Sequence, residues 1–367
     1  MQVTAAVVNE PEAPFVFEPL ELEEPRADEV LVRVVASGVC HTDDVCRNQG
    51  IPVPLPVVLG HEGSGVVERV GANVTDLAPG DHVVLSWGRG CGRCANCLRG
   101  DQAYCDDMGR VSFGGTRLTD GTTSLSRDGE DVHSHFIGQS SFATYAVVPE
   151  AHAVKVDDDV PLELLGPLGC GVLTGAGAVF DALDVEVGSK ILVTGTGAVG
   201  LSAIMAANVL GCTPIIAVDT NRERLDLARE LGATHTLHPD DGDLAEALAA
   251  IAPGGVDNAI ETTANPGVLR TALEAVRLRG TCASLGAAPM GTELTLDAFS
   301  ILLGRTLRGV IVGDGVPSIS IPRLIGLYKA GRFPFDRLVT FYDFEDLDQA
   351  FQDSASGVTI KPIVRMA

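Results

Sequence analysis

The amino-acid sequence predicts an α/β protein with a β-rich first domain and a second domain built on a doubly wound parallel sheet. At 367 residues the chain is long for a single hydrophobic core. Short strand-like runs separated by turns fill the sequence up to about Val154, and alternating strand and helix patterns follow from about Val172. A glycine-rich turn between a predicted strand and a predicted helix lies in that second part.

The first part of the chain is typical of a β-rich, barrel-like domain. Residues 30–35 alternate in polarity, with Arg33 predicted to point outward, and residues 79–83 indicate a turn entering a strand. Residues 109–138 are polar, glycine-rich and weakly periodic, so we expect a long surface loop there. We expect residues 1–171 to form the first domain, residues 172–311 the second, and residues 312–367 to return to the first.

The second part alternates between β-branched runs and amphipathic runs, which predicts a parallel sheet covered by helices. Strands are predicted at residues 191–194, 215–218, 235–238, 256–261, 281–285 and 306–312. Helices are predicted at residues 198–210, 221–231, 244–251 and 266–278.

The glycine turn has the spacing of a dinucleotide-binding fingerprint. Gly195 allows the tight turn, Gly197 lets the backbone approach a pyrophosphate, and Gly200 lets the helix pack close to the strand. Asp219 ends the next strand, where a carboxylate binds a ribose 2′-OH and repels a 2′-phosphate, which favours NAD over NADP. The uncharged run 191–218 is long enough to cross a membrane, but its glycines, asparagine and proline favour strand, loop, helix and strand.

Composition and charge narrow the function classes. A formal net charge of −23 opposes nucleic acid and anionic membranes as partners. Residues 1–17 lack the apolar core of a signal peptide, so we expect a cytoplasmic protein. Nine cysteines in such a protein point to metal binding or catalysis rather than to disulfides.

Four closely spaced cysteines predict a metal site. Cys91, Cys94 and Cys97 form two overlapping C-x-x-C turns, and Cys105 follows eight positions later. Four thiolates in this arrangement match a closed tetrahedral zinc site with a structural role. We call these four residues the cysteine lobe.

A second, open metal site is one of two interpretations of three scattered residues. Cys40, His61 and Cys170 supply two thiolates and an imidazole, the donor set of a catalytic zinc that keeps a position for substrate. Their wide separation also fits two buried apolar cysteines and a structural histidine. Spacing alone leaves both interpretations open. We call these three residues the ligand triad.

The motifs together resemble one protein family. They are C-H-T-D at residues 40–43, G-H-E-G-S-G at 60–65, the cysteine lobe, G-C-G at 169–171 and the glycine turn, in that order. Over nearly its whole length the chain resembles the zinc-dependent medium-chain alcohol dehydrogenases. Residues 165–171 (L-G-P-L-G-C-G) and 331–336 (G-R-F-P-F-D) resemble the bacterial aryl-alcohol (benzyl alcohol) dehydrogenases among them. The resemblance implies a GroES-like catalytic domain, with a structural zinc lobe at about residues 88–108, and a Rossmann domain that binds NAD.

The resemblance also implies roles for individual residues. Cys40, His61 and Cys170 would hold the catalytic zinc, Asp43 would fix the His61 ring, and Glu62 would lie close behind the metal. With the cysteine lobe, the resemblance implies two zinc ions per chain.

Thr42 matches the hydroxyl that accepts the alcohol proton and passes it to the cofactor ribose. The histidine that completes this relay in some members is replaced by Val45, so water or another group would carry the proton out. Further cofactor contacts implied by the resemblance are His41, Thr174, Val199, Arg224 and Lys361. His41, Arg224 and Lys361 also fit ordinary surface residues. The implied substrate pocket, for which core packing is the alternative, comprises Ile51, Trp87, Phe136, Ala287 and Ile311.

We therefore expect an NAD-dependent enzyme that oxidises a primary aromatic or allylic alcohol to the aldehyde and catalyses the reverse reaction. A terpenoid (geraniol-like) alcohol dehydrogenase and a thiol-adduct formaldehyde dehydrogenase are the enzyme alternatives. A catalytically silent binding protein of the same fold is the alternative outside enzymes. The expected partners are a small alcohol or aldehyde and a second copy of the chain, with a tetramer as the other assembly that the resemblance allows.

Overall fold

The computed structural model describes residues 1–87 and 89–366, so Gly88, where the predicted zinc lobe 88–108 begins, and Ala367 lie outside the described residues. The strands are β1 Gln2–Val8, β2 Val16–Leu22, β3 Glu29–Gly38, β4 Val57–Val58, β5 Gly63–Val70, β6 His82–Leu85, β7 Leu125–Arg127, β8 Glu130–Val132, β9 Tyr145–Pro149, β10 Ala153–Val156, β11 Ile191–Thr194, β12 Ile215–Val218, β13 His235–Leu237, β14 Val256–Glu261, β15 Val276–Ser284, β16 Thr306–Gly309, β17 Val339–Asp343 and β18 Lys361–Arg365. The α-helices are α1 His41–Arg47, α2 Ala95–Arg99, α3 Met108–Phe113, α4 Gly171–Gly177, α5 Ala198–Val209, α6 Arg222–Glu230, α7 Leu244–Ile251, α8 Pro266–Ala275, α9 Ala298–Leu302, α10 Pro317–Lys329 and α11 Leu347–Ser356.

The chain forms two compact units. The first unit holds Met1–Cys170, Val316–Ile325 and the chain from Leu338 onward. The second unit holds Gly171–Gly315 and Gly326–Arg337. The expected return of residues 312–367 to the first domain differs from this division at residues 312–315 and 326–337, which belong to the second unit.

The first unit is built from two sheets. One sheet has the strand order β4-β1-β2-β7-β8, and the other has the order β10-β6-β5-β3-β18-β17, with β9 also paired to β3. The polarity of β3 explains its placement, because Val30, Val32 and Val34 are buried in a core cluster while Arg33 is exposed. The predicted β-rich character of this part of the chain is confirmed. Strand β18 lies antiparallel to β3 and parallel to β17, so the last strand of the chain completes the second sheet.

The second unit contains six parallel strands in the order β13-β12-β11-β14-β15-β16. This is the strand order of a doubly wound dinucleotide-binding sheet, and the predicted fold class is confirmed. The helix predicted at residues 266–278 ends at Ala275, because Val276 already pairs with Val256 of the neighbouring strand. The strand predicted at residues 306–312 ends at Gly309.

The uncharged run at residues 191–218 folds as β11, α5 and β12. Every residue of both strands is buried in the parallel sheet, which accounts for the absence of charge. Across residues 1–87 and 89–366, the structure contains no helix that combines the length and the apolar character needed to cross a membrane.

The prediction of a long surface loop at residues 109–138 is wrong. This stretch contains most of α3, both β7 and β8, and several buried polar side chains. Arg117 is buried and donates hydrogen bonds to Glu29 Oε1 at 2.7 Å and to Glu23 Oε2 at 2.8 Å. The polar composition suggested exposure, but here buried polar groups bind one another.

Two buried histidines predict a loss of stability in acid. Burial lowers the pKa of His135 to about 4, and Arg117 and Arg26 lower it further against the opposing charge of Glu29. Burial likewise lowers the pKa of His152 to about 4, although this ring also hydrogen-bonds the carbonyl oxygen of Ser86. In the unfolded chain a histidine has a pKa of about 6.5. Between about pH 6.5 and pH 4, both histidines are therefore neutral in the folded protein and protonated in the unfolded chain.

We expect the free energy of unfolding to fall as the pH drops from about 6.5 to 4, by up to about 3 kcal/mol for each histidine. Denaturant unfolding of the wild type and of H152Q across this range tests the expectation, and H152Q should show the shallower pH dependence. The exposed His235 provides the control, since H235Q should retain the wild-type slope. An H152Q slope equal to that of the wild type contradicts the assignment.

Candidate functional site

The first residue of the ligand triad lies where β3 passes into α1. Cys40 immediately precedes α1, and its backbone N–H donates to Asp43 Oδ2 at 3.2 Å. Asp43 is fully buried in the first turn of the helix. The carboxylate therefore fixes the backbone that carries the Cys40 thiol.

The same carboxylate fixes the second residue of the triad. Asp43 Oδ1 lies 2.9 Å from His61 Nδ1 and accepts the backbone N–H of Gly60 at 3.0 Å. Since a carboxylate only accepts, Nδ1 carries the ring proton. Gln139 holds the backbone on the other side, because its amide donates to the carbonyl oxygen of His61 at 2.8 Å. His61 Nε2 is buried and has no hydrogen-bond partner among the described residues.

The structure brings the whole triad together. One ligand atom each from Cys40, His61 and Cys170 lie within 4.8 Å of one another. Cys170 follows a short 3₁₀ turn, where a side chain at Gly166 would meet the carbonyl oxygen of Glu62 at 2.1 Å. Two sulfurs and an unpartnered imidazole nitrogen form a donor set that fits a Zn²⁺ ion with a fourth position left open.

The electrostatics of the triad favour the thiolate form of Cys40. A hydrogen bond from Cys170 holds the pKa of Cys40 well below its ordinary value, and the positive charges of His61 and Lys361 act in the same direction. That hydrogen bond and burial raise the pKa of the Cys170 thiol. Burial opposes a charge on His61, but Asp43 and Cys40 outweigh it and raise its pKa. The first thiol is thus prepared as a metal ligand by its neighbours.

A buried ion pair lies beside the triad. The Lys361 ammonium donates to both oxygens of Glu62, at 3.0 and 2.9 Å, and to the carbonyl oxygen of Val39 at 2.9 Å. Burial opposes the charge on Lys361, and the Glu62 carboxylate overcomes it and raises the pKa of Lys361. We expected Lys361 to contact the cofactor. These bonds favour a structural role instead, because all three ammonium protons are donated to groups within the first unit.

The cysteine lobe forms a second cluster. The four sulfurs of Cys91, Cys94, Cys97 and Cys105 lie within 4.8 Å of one another. Backbone N–H groups point at them, from Cys91 to Cys105 Sγ at 3.2 Å and from Cys97 to Cys94 Sγ at 3.4 Å. Hydrogen bonds from backbone N–H groups lower the pKa of Cys94 to about 6, and the largest contribution comes from the N–H of Asp106. Four convergent sulfurs fit a closed zinc site.

Aromatic rings extend from the triad along one side. The Phe136 ring lies 5.6 Å from the His61 ring, Phe113 lies 6.1 Å from Phe136, and Trp87 meets Phe113 edge-on at 6.3 Å. We call Trp87, Phe113 and Phe136 the aromatic wall. Ile51 packs against the hydrophobic core cluster that contains Phe136. Sequence reasoning missed Phe113, because it ends α3 inside the stretch that was expected to be a loop.

The other predicted pocket residues belong to the second unit. Ala287 follows β15 in an irregular segment, and Ile311 precedes a short 3₁₀ turn. Both are half-buried. Their role in a substrate pocket stays a prediction, as do the roles of His41, which is exposed at the start of α1, and of Thr42, which is half-buried beside it.

The glycine turn in the second unit has the geometry of a phosphate cradle. Gly195 adopts a φ of 86°, which favours glycine, and a side chain at Gly200 would meet the carbonyl oxygen of Gly195 at 1.8 Å. A side chain at Gly197 would meet nothing within 4 Å, so open space adjoins the start of α5. This turn therefore fits a dinucleotide whose pyrophosphate approaches the backbone.

The remaining cofactor candidates surround this turn. Asp219 follows β12, and its carboxylate accepts hydrogen bonds from Thr196, a residue that sequence reasoning did not single out. Thr174 and Val199 lie on α4 and α5, which pack so closely that a side chain at Gly175 would meet the carbonyl oxygen of Val199 at 2.0 Å. Arg224 lies in the first turn of α6.

Comparison with known proteins identifies the family. Residues 26–158 match the family model of the alcohol dehydrogenase GroES-like domain, and residues 198–329 match that of the zinc-binding dehydrogenases. The geraniol dehydrogenase of Castellaniella defragrans is 45% identical over 98% of this chain and 96% of its own length.

Two solved structures share the whole fold. An alcohol dehydrogenase zinc-binding domain protein from Burkholderia ambifaria is 53% identical, with a TM-score of 0.96 over 100% of this chain and 99% of that one. The benzyl alcohol dehydrogenase of Acinetobacter calcoaceticus is 48% identical, with a TM-score of 0.96 over the full length of both chains. The chain therefore belongs to the zinc-dependent medium-chain alcohol dehydrogenase family, with a GroES-like domain and a Rossmann-type domain.

Proposed function

We propose that this protein oxidises primary aromatic or allylic alcohols to aldehydes with NAD and catalyses the reverse reaction. The observation that carries the proposal is the ligand triad beside the aromatic wall. In it, His61 Nε2 is buried near two thiols and has no hydrogen-bond partner within residues 1–87 and 89–366. The oxidation removes a hydride from the alcohol carbon, which the nicotinamide ring accepts, and a proton from its oxygen. The products are the aldehyde, NADH and a proton.

The triad would hold the catalytic zinc, and the cysteine lobe a structural one. Bound zinc supplies a Lewis acid that lowers the pKa of a hydroxyl and polarises a carbonyl. Two thiolates would offset the charge of the ion, and the hydrogen bond between Asp43 and His61 Nδ1 would leave His61 Nε2 as the third ligand. Glu62 and Lys361 form a neutral pair next to Cys40, so neither adds a net charge to the site.

The chain's own groups would move the alcohol proton. Thr42 lies two residues after Cys40 and is half-buried, which suits a hydroxyl that exchanges protons with a bound alcohol. Val45 is buried and cannot accept a proton. We propose that Thr42 accepts the alcohol proton and that water or another group carries it to solvent.

The cofactor would be NAD, held at the glycine turn in the second unit. Asp219 would bind the adenosine ribose, and the residue that follows it, Thr220, offers no cation for a 2′-phosphate. Val199 and Thr174 would contact the nicotinamide, and Arg224 the adenosine.

The aromatic wall would select the alcohol. Edge-to-face contacts between aromatic rings are worth about 0.5–1.5 kcal/mol beyond surface burial, so the wall suits the phenyl ring of an aromatic alcohol. The name of the geraniol dehydrogenase relative supports a terpenoid alcohol as the second candidate, and the wall suits its allylic end as well. A thiol-adduct formaldehyde dehydrogenase is the remaining alternative, with no feature of the wall in its favour.

A second copy of the chain is the proposed partner. Strand β16 ends the parallel sheet, and next to it in sequence α9 exposes Phe299 (62%) and Leu302 (76%). An exposed sheet edge flanked by apolar side chains favours pairing with its own copy.

Zinc content separates the enzyme from a silent binding protein. We expect about two zinc ions per wild-type chain, and about one in C170S, because that variant loses one of only three protein ligands. Zinc analysis of dialysed protein, together with alcohol oxidation, measures both effects. C282S is the control, since Cys282 is buried in β15 and should retain both ions. Two ions in C170S, or one in the wild type, contradict the proposed site.

Substrate selection tests the aromatic wall. W87A and F113A should raise the KM for benzyl alcohol roughly tenfold and change that for ethanol less than about twofold. Steady-state kinetics with benzyl alcohol, geraniol and a hydroxymethyl-thiol adduct, using NAD and NADP, measure this and rank the candidate substrates. F17A, which breaks a different aromatic pair with Phe344, should change neither KM. Equal effects of W87A on benzyl alcohol and ethanol refute the assignment.

Light scattering tests the assembly. We expect a dimer for the wild type and a smaller species for F299D/L302D, because two buried carboxylates cannot be tolerated in an apolar interface. V187D places a carboxylate on a different exposed apolar residue of the second unit and should leave the assembly intact. A wild-type monomer, or an unchanged F299D/L302D assembly, counts against this interface.

A further inference from the structure

The carboxylate of Asp219 is held by a residue that lies within the glycine turn itself. The Thr196 backbone N–H donates to Asp219 Oδ2 at 2.5 Å, and the Thr196 hydroxyl donates to the same oxygen at 2.8 Å. The other oxygen, Oδ1, accepts the backbone N–H of Asn221 at 2.8 Å. Thr196 is fully buried and Asp219 is half-buried, so the hydroxyl bond between them is partly shielded from solvent.

We propose that Thr196 is a positioning residue that sets the preference for NAD over NADP by fixing the Asp219 carboxylate where the adenosine ribose binds. The proposal rests on the NAD-dependent function proposed above. A carboxylate offers about four acceptor positions, and the three bonds fill all but one of them. The position that remains is on Oδ1, and it is available to a ribose hydroxyl.

The hydroxyl of Thr196 is what makes the carboxylate rigid. Backbone donors to Oδ2 and Oδ1 would each still be satisfied after small rotations of the carboxylate, whereas a second donor on Oδ2 removes this freedom. A rigid carboxylate loses less entropy when it binds the ribose 2′-OH. It also cannot turn away from a 2′-phosphate, so the repulsion between the two negative charges is retained in full.

The chain offers a matched control for this hydroxyl. Thr194 lies two residues earlier, at the end of β11, and is likewise buried. Its hydroxyl oxygen has no hydrogen-bond partner among the described residues. Thr194→Val therefore makes the same chemical change next to the same turn without touching Asp219.

Binding measurements test the proposal on the full-length, zinc-loaded protein. By isothermal titration calorimetry, T196V should weaken the Kd for NAD and for ADP-ribose roughly three- to tenfold, the range expected for one lost hydrogen bond. The Kd for nicotinamide mononucleotide, which lacks the adenosine ribose, should stay unchanged. The ratio of the NADP Kd to the NAD Kd should fall in T196V and be retained in T196S and T194V.

A double-mutant cycle shows whether Thr196 acts through Asp219. In a D219A background, T196V should have no further effect on the Kd for NAD. An equal loss in both backgrounds, or an unchanged NADP to NAD ratio in T196V, overturns the proposal. If T196V does not fold by thermal scanning, T196S and T196A provide the same comparison, with and without the hydroxyl.

The wild-type protein alone tests the underlying function. A wild type that prefers NADP, or that binds neither nucleotide, contradicts the proposed function before any variant is made. A wild type that prefers NAD, with T196V behaving like T194V, leaves that function standing and removes only the role of Thr196.

Discussion

One buried carboxylate, that of Asp43, holds two residues of the ligand triad, Cys40 and His61, in place. It accepts hydrogen bonds from the backbone of Cys40, the backbone of Gly60 and the ring of His61, and so joins the start of α1 to the loop before β5. Burial raises the pKa of Asp43, and the bonds from His61 and Gly60 oppose that shift. A buried charge without partners costs several kcal/mol, so the donors and the carboxylate require one another. The ring orientation of His61 is consequently fixed by the fold.

A second layer of buried charge supports the first. Glu62 follows His61 directly, and Lys361 on β18 neutralises it while bonding the backbone next to Cys40. Both polar layers belong to the first unit, and the glycine turn with Asp219 belongs to the second. The residues of the predicted metal site therefore come from the first unit, and those of the predicted cofactor site come from the second.

Much of this structure can be predicted from the sequence, because metal binding, tight turns and buried strands each allow only a few residue types. Thiolate and imidazole groups are the usual protein ligands of zinc, and only glycine fits the turn before α5, so spacing predicted the cysteine lobe and the glycine turn. The ligand triad is more widely spaced, and only the resemblance to the family assigned it. The β-branched runs of the parallel sheet were equally clear, since strands buried on both faces contain little else.

The remaining features depend on contacts between distant parts of the chain. Phe113 resembles any core aromatic residue until α3 brings it beside Trp87. Thr196 is an ordinary turn residue until Asp219, 23 positions later, accepts its bonds. The polar composition of residues 109–138 suggested a surface loop, because composition does not show which polar groups find partners. Only the structure shows Arg117 in this stretch buried against Glu29.

The span between Glu62 and Lys361 has a consequence for biosynthesis. The two residues are 299 positions apart, with the parallel sheet of the second unit encoded between them. A ribosome must therefore translate the entire cofactor-binding segment before Lys361 can neutralise Glu62 beside Cys40. Until then the nascent chain lacks the cation that pairs with Glu62 beside the ligand triad, and the native charge balance there arises only at a late stage of synthesis.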